Sequence, residues 1–488
     1  MTMTTTRFLQ RTAAGFGALA LAAAGALALA APAAAQSQPG PGQPGAPDSG
    51  SLTINKYKGA PRENPAPADL LNGVEFTVTQ VGTTVGTDCV PLNLAQASAW
   101  DGLPALFATT PASLTGDFCY VPGAQSATTV SGQAQFSNLD LGVYFVSETD
   151  PGPNNIVSKV PDFFVSVPMP QGASGWLYDV VANPKNQLMD APTKTVADPE
   201  TFVTGAIVPW TISARIPTLN DEKFTVASVN DVLDSRLSYV SSIVSIGSTV
   251  LEEDTHYTVN PAGVTWTFTE AGRLLLDGQM GQTLTIVMKT RVGDVGDGAI
   301  PNMTYSATFN GATVPGGTVP YTYWGKLTIT KNDNSQPARP LAGAQFQVFS
   351  TAADGTCPAT APSSGALATG TSNNAGLVEW AGLTPNNPLT LWIANSPDNP
   401  ITPSPTKGYC VFETVIPAGH LATPIANPVM IGASPTPLEL NVVNPRREGP
   451  RLPMTGAQGT LVLTAGGLAL IGLGAGGVAV ARRRNDVA

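Results

Sequence analysis

Histidine is nearly missing from this 488-residue chain: His256 and His420 are the whole complement, far apart and in no ligand-like pattern. A histidine-based catalytic triad or zinc centre is therefore not expected. Cysteine is almost as scarce, with Cys89 and Cys119, then Cys357 and Cys410, and none in the middle third. Charged residues make up only 12% of the sequence, the net charge is -10, and no basic stripe lies between the two ends, which argues against nucleic acid as a partner. The acidic run Glu252, Glu253 and Asp254 reads as a solvated hairpin loop, and the Asn332-Asp333-Asn334 stretch lacks EF-hand spacing and reads as a turn. No cofactor, metal site or enzymatic activity is expected. Long apolar runs are absent except at the two termini.

At the first terminus, Arg7 and Arg11 precede an apolar stretch from Ala13 to Ala31, and Ala33, Ala34 and Ala35 offer small residues for signal peptidase. Residues 1–35 therefore read as a secretion signal. At the other, the run from Ala457 to Ala481 carries no charge over roughly 25 residues, enough helix to cross a bilayer, with Arg482, Arg483 and Arg484 left on the cytoplasmic side. Directly before that run stands Leu452-Pro453-Met454-Thr455-Gly456, a pentapeptide that a membrane span alone does not need.

Over 400 residues lie between these ends, too many for one hydrophobic core. Fifty Gly, forty-four Pro and runs of Val, Thr and Ile broken by turn residues fit short strands better than helices. The expectation is an all-β chain of three tandem Ig-like sandwiches at 51–188, 189–324 and 325–447, after a flexible Pro/Gly-rich leader at 36–50 and before the tail at 448–488. Sequence permits three pairings of four cysteines. In an oxidising exterior the economical reading is one bridge in each outer domain.

The outer domains resemble each other. SLTINKYKG from Ser51 and KLTITKNDN from Lys326 open the two copies and place Lys56 and Lys331 alike. GVYFVSET carries Glu148 where GYCVFET carries Glu413, and YDVVANPKN carries Asn183 where ELNVVNPRR carries Asn444. The middle segment offers Lys194, Asp231 and Asn302, with Asp234 as a rival acid. A lysine on a first strand and an asparagine on a last strand are neighbours wherever those strands pair. If both are buried beside a carboxyl, desolvation favours the neutral amine and the protonated acid. The acid can then hydrogen-bond the asparagine carbonyl and carry a proton to departing ammonia, leaving an intramolecular isopeptide bond. Three such bonds are expected: Lys331 to Asn444 with Glu413, Lys194 to Asn302 with Asp231, and, as a hypothesis, Lys56 to Asn183 with Glu148.

These motifs together resemble the major, or shaft, pilins of sortase-assembled pili in Gram-positive actinobacteria, corynebacterial and actinomyces-like. LPMTG followed by an apolar run and basic tail resembles the LPxTG sorting signal. Trp176, Val180, Pro184 and Lys185 match the spacing of the family's pilin motif WxxxVxVYPK, departing at Ala182 and Asn183. YCVFETVIPAG resembles the family's E-box, with His420 where Tyr is usual. The resemblance implies CNA-type domains, isopeptide bonds in the second and third, cleavage between Thr455 and Gly456, and transfer of the Thr455 carboxyl to Lys185 of the next copy. It also implies as partners a class C pilin sortase, a housekeeping sortase, accessory pilins and peptidoglycan, on a wall-anchored fimbria that supports adhesion. Rival readings are a monomeric wall-anchored adhesin, or an accessory pilin at base or tip; neither needs Lys185 as an acceptor.

Overall fold

The computed structural model describes residues 38–447 apart from 61–64, 112, 113, 115, 173 and 174. The expected secretion signal at 1–35, Leu452 to Gly456 and the apolar tail lie outside the described residues. Strands dominate, as the composition implied, and they form sandwiches in which alternate residues point inward.

In the first domain, strand Ser49–Asn55 lies between Asp179–Ala182, which runs parallel to it, and Gln133–Asp140, which runs antiparallel. The facing sheet orders Phe163–Val167, Gly142–Asp150 and Glu75–Val85. Leu52, Ile54, Phe76, Val78, Phe136, Val146, Val165 and Val180 fill the space between. Two short helices, Ala97–Asp101 and Leu103–Phe107, cover the outer side of this second sheet over Val81, Val143 and Tyr178. The Cys89–Cys119 disulfide closes the same excursion.

The segment expected to be a flexible leader has defined partners from residue 38 onward. Gln38 forms a β-bridge with Trp176, and Tyr178 Oη donates to Pro39 O at 2.8 Å. Gly42 has φ +78, and a Cβ there would sit 2.3 Å from Ala95 O, so only glycine fits. A Pro/Gly-rich stretch need not be loose when an aromatic platform lies beneath it, and Trp176 with Trp100 provides one at 5.0 Å between rings.

The middle domain packs two five-stranded sheets. Ile207–Arg215, Thr283–Val292 and Leu237–Ile246 form the centre of one; Thr265–Phe268, Ala227–Val232 and Thr304–Phe309 form the centre of the other. Trp210 and Trp266 are fully buried, and each indole N–H finds an oxygen, Thr290 Oγ1 and Ser242 Oγ, both at 2.9 Å. Among the described residues, those up to 325 with 391–406 and 432–435 make one compact unit, and the others make a second.

In the second unit a five-stranded sheet runs Val378–Trp380, Ala368–Ser372, Gln345–Ser350, Thr406–Val415, Val429–Gly432. The later half of strand Tyr321–Asp333 pairs in parallel with Leu438–Asn444, from Leu327↔Leu438 to Asp333↔Asn444. Cys357 and Cys410 are disulfide-bonded, so each outer domain carries its own bridge and no free cysteine occurs among the described residues.

Candidate functional site

Lysine is seldom fully buried. Here Lys56, Lys194 and Lys331 are all completely inaccessible, one in each sandwich. Strand alternation turns each inward beside a carboxyl from a facing strand and an amide from the end of the domain.

The middle site brings together the three residues read from the sequence. Lys194 Nζ lies 2.8 Å from Asp231 Oδ1 and donates to Asn302 O at 3.2 Å, while Asn302 Nδ2 donates to Asp231 Oδ2 at 3.3 Å. The ammonium sits 4.2 Å from the centre of the Tyr305 ring. Burial lowers Lys194 to about 8, against the opposing pull of Asp231, and burial raises the Asp231 carboxyl. Both shifts favour the uncharged pair of amine and acid. The rival acid, Asp234, is instead gripped by Arg236 through Nε at 2.8 Å and held below its ordinary range by that bond.

The third-domain site is also assembled. Asn444 Nδ2 donates to Glu413 Oε1 and Oε2 at 2.9 and 3.0 Å, and Lys331 Nζ is 3.8 Å from Glu413 Oε1. Burial lowers Lys331 and raises Glu413. In both sites the asparagine Oδ1 is buried with no hydrogen-bond partner. An amide turned over by half a rotation would point that oxygen at the carboxyl, and a protonated carboxyl would donate to it. As the amides stand, each carboxyl accepts from the NH2 and the oxygen is unpaired; a neutral acid would pair with the oxygen only after that turn.

In the first domain the expectation needs a correction. Lys56 Nζ lies 2.7 Å from Glu148 Oε2, as anticipated, but the amide in contact is Asn186: its Oδ1 is 2.5 Å from Lys56 Nζ and its Nδ2 donates to both Glu148 oxygens at 2.7 and 3.0 Å. Asn183 instead accepts from Asn55 Nδ2 at 2.9 Å. Register explains the shift. Ile54 pairs with Ala182, so Asn183 falls beside Asn55, one residue before Lys56, and the same parallel register continues past Pro184 to Lys185↔Tyr57 and Asn186↔Lys58. Asn186 is thus opposite the residue two beyond Lys56, just as Asn444 is opposite Asp333, two beyond Lys331. The Asn-Pro dipeptides align by letter but not by register. Asn186 Oδ1 also accepts from Val160 N at 2.8 Å, so a backbone N–H already polarises this carbonyl. Burial lowers Lys56 to about 8, partly offset by Glu148.

Lys185 stands immediately before Asn186. It is 5% exposed, and its Nζ donates to Asn183 O at 3.0 Å. Trp176 and Pro184 of the same motif both precede it, with Val180 buried in the core.

Comparison with known proteins bears on the whole assembly. Residues 50–187 match the Gram-positive pilin subunit D1, N-terminal domain, and residues 448–487 match the LPXTG cell wall anchor motif. The chain is 30% identical over 490 residues to the fimbrial subunit type 2 of Actinomyces naeslundii, across 90% of this chain and 87% of that relative. It is 29% identical over 520 residues to the fimbrial subunit type 1 of Actinomyces viscosus, across 91% and 92%. Among solved structures, the full-length major pilin SpaD from Corynebacterium diphtheriae superposes with a TM-score of 0.60 at 27% identity, covering 82% of this chain and 98% of that one.

Proposed function

The chain belongs to the LPXTG-anchored fimbrial subunits of Gram-positive actinobacteria, and on that premise we propose how its copies are joined and how each is hardened. It is a structural, non-enzymatic protein of a cell wall-anchored surface pilus. A pilin sortase cleaves between Thr455 and Gly456 and joins the Thr455 carbonyl to Lys185 Nζ of the next copy, and a housekeeping sortase passes the last copy to peptidoglycan. The Lys185 amine, buried in the free subunit, has to swing outward to reach the enzyme.

Within each subunit, the amines of Lys56, Lys194 and Lys331 attack the side-chain amides of Asn186, Asn302 and Asn444. The new C–N bond forms as the C–NH2 bond breaks, and Glu148, Asp231 and Glu413 carry the proton from amine to departing ammonia. The observation that carries this reading is the recurrence, in three separate cores, of a fully buried lysine beside a carboxyl that also holds an amide.

Intact-mass analysis tests it. The mature chain is expected to be lighter than its sequence by three ammonias, and Asp231→Ala is expected to restore one of them; a full-mass chain would remove the proposal. A second measurement separates the two first-domain candidates: Asn186→Ala is expected to restore one ammonia and Asn183→Ala none. The opposite result would return the bond to Asn183.

A further inference from the structure

The carboxylate of Asp333 takes no part in the chemistry above, yet it is fully buried two residues beyond Lys331 on the same strand, opposite Asn444. Its Oδ1 accepts from Ser335 N at 3.0 Å, from Arg339 N at 2.9 Å and from Ser335 Oγ, which closes the turn read from the sequence. Its Oδ2 is left for Arg446 Nε at 2.9 Å, and Arg446 N donates to Asn334 Oδ1 at 3.2 Å. Arg446 is two residues past Asn444. On its other side, Leu421 N donates to Pro445 O and Arg447 N to Gly419 O, so the exit from the last strand is also tied to the loop that follows the Glu413 strand.

We propose that Asp333 and Arg446 form a latch that sets the register of Asn444 against Lys331 before the third-domain bond closes. Asp333 and Arg446 are positioning residues, because neither touches the reacting atoms. The inference rests on the cross-linking reading of that site. Two carboxyls within one site are driven in opposite directions: burial pushes Glu413 up, towards the protonated form that a shuttle needs, while its hydrogen bonds hold Asp333 far below the usual carboxylate range. Asp333 therefore stays an anion at any pH where the bond forms, fit to grip a guanidinium and unfit to move a proton. Its charge also works against the neutral form of Lys331, so its benefit has to come from alignment. That benefit is large in principle, since a reacting pair displaced by about 1 Å loses roughly a hundredfold in rate. The equivalent register position in the first domain is the exposed Lys58, and among the described residues no such grip is formed there.

The test uses the full mature chain made by cell-free synthesis, halted with chloramphenicol, with aliquots quenched in acid. Peptide mass mapping follows each cross-link separately. Arg446→Ala, whose half-exposed side chain leaves no core cavity when removed, is expected to slow closure of Lys331 to Asn444 roughly ten- to hundredfold. The first and middle bonds should close at the wild-type rate. Arg446→Lys, which keeps the charge without the planar fork, should fall between, and Asp333→Asn should match Arg446→Ala. The melting temperature of fully closed Arg446→Ala should stay near wild type, which a purely stabilising ion pair would not give. Unchanged closure, or equal slowing in all three domains, overturns the latch. A wild-type chain that never joins Lys331 to Asn444 overturns the cross-linking reading, and the latch with it.

Discussion

A Lys185→Ala chain is expected to leave wall extracts with a single subunit band in place of a high-mass ladder, while secretion and folding of the monomer continue. The effect should be complete, because head-to-tail growth through one amine has no partial form: without the acceptor, each Thr455 carbonyl can go only to water or to peptidoglycan. The geometry makes this a demanding test. Lys185 is buried and hydrogen-bonded to Asn183 O, whereas Lys58 beside it is exposed and Lys159 is half exposed at its side chain. Accessibility alone would choose either neighbour. If the ladder persists in Lys185→Ala and disappears in Lys58→Ala or Lys159→Ala, the assignment by motif is wrong. A lone wall-anchored adhesin would show no ladder even in the wild type.

The second large effect concerns stability. Lys331→Ala is expected to lower the melting temperature of the third domain by on the order of 10–20 °C and to open it to trypsin. Lys331 and Asn444 lie 113 positions apart, and closing a loop of that length removes on the order of 4 to 5 kcal/mol of unfolded-state entropy by the estimate used for disulfides. That approaches the whole stability of a marginal domain. Deleting a buried lysine also leaves a cavity, so the single variant is not decisive. Asn444→Ala should fall by a similar amount, and the double variant should be no worse than either single one, since all three lack the same bond. Additive losses, or a shift of only a degree or two, would mean that packing rather than a covalent tie accounts for the stability.

The mechanical argument follows from where the ties sit. If copies are joined through Lys185 and Thr455 as proposed, the path between those residues runs through the second and third domains, and the proposed lysine-to-asparagine bonds would take the load before strands could separate. The first domain stands off this path, yet its site is assembled as closely as the others, with Asn186 2.5 Å from Lys56. Stiffening along the fibre therefore would not explain a bond at that site.

Much of this was legible in the letters. Period-two alternation marks Lys56, Lys194 and Lys331 as inward-facing residues within apolar strands, and each lysine's carboxyl partner could be named from its own strand. The pentapeptide with its apolar tail and the all-β architecture needed only composition and short-range order. What the letters could not supply was the match between strands far apart in the chain. Asn183 and Asn186 both follow the same strand, and choosing between them depends on which one the parallel register sets opposite Lys58, two residues beyond Lys56. The same holds for the docking of residues 38–48 on Trp176 and for the concealment of Lys185. Strand periodicity is a local property of the backbone, written in the sequence itself. Register, burial and hydrogen-bond partners are settled only when distant segments share one core, and that is where the tertiary structure decided which amide sits on the carboxyl beside each lysine.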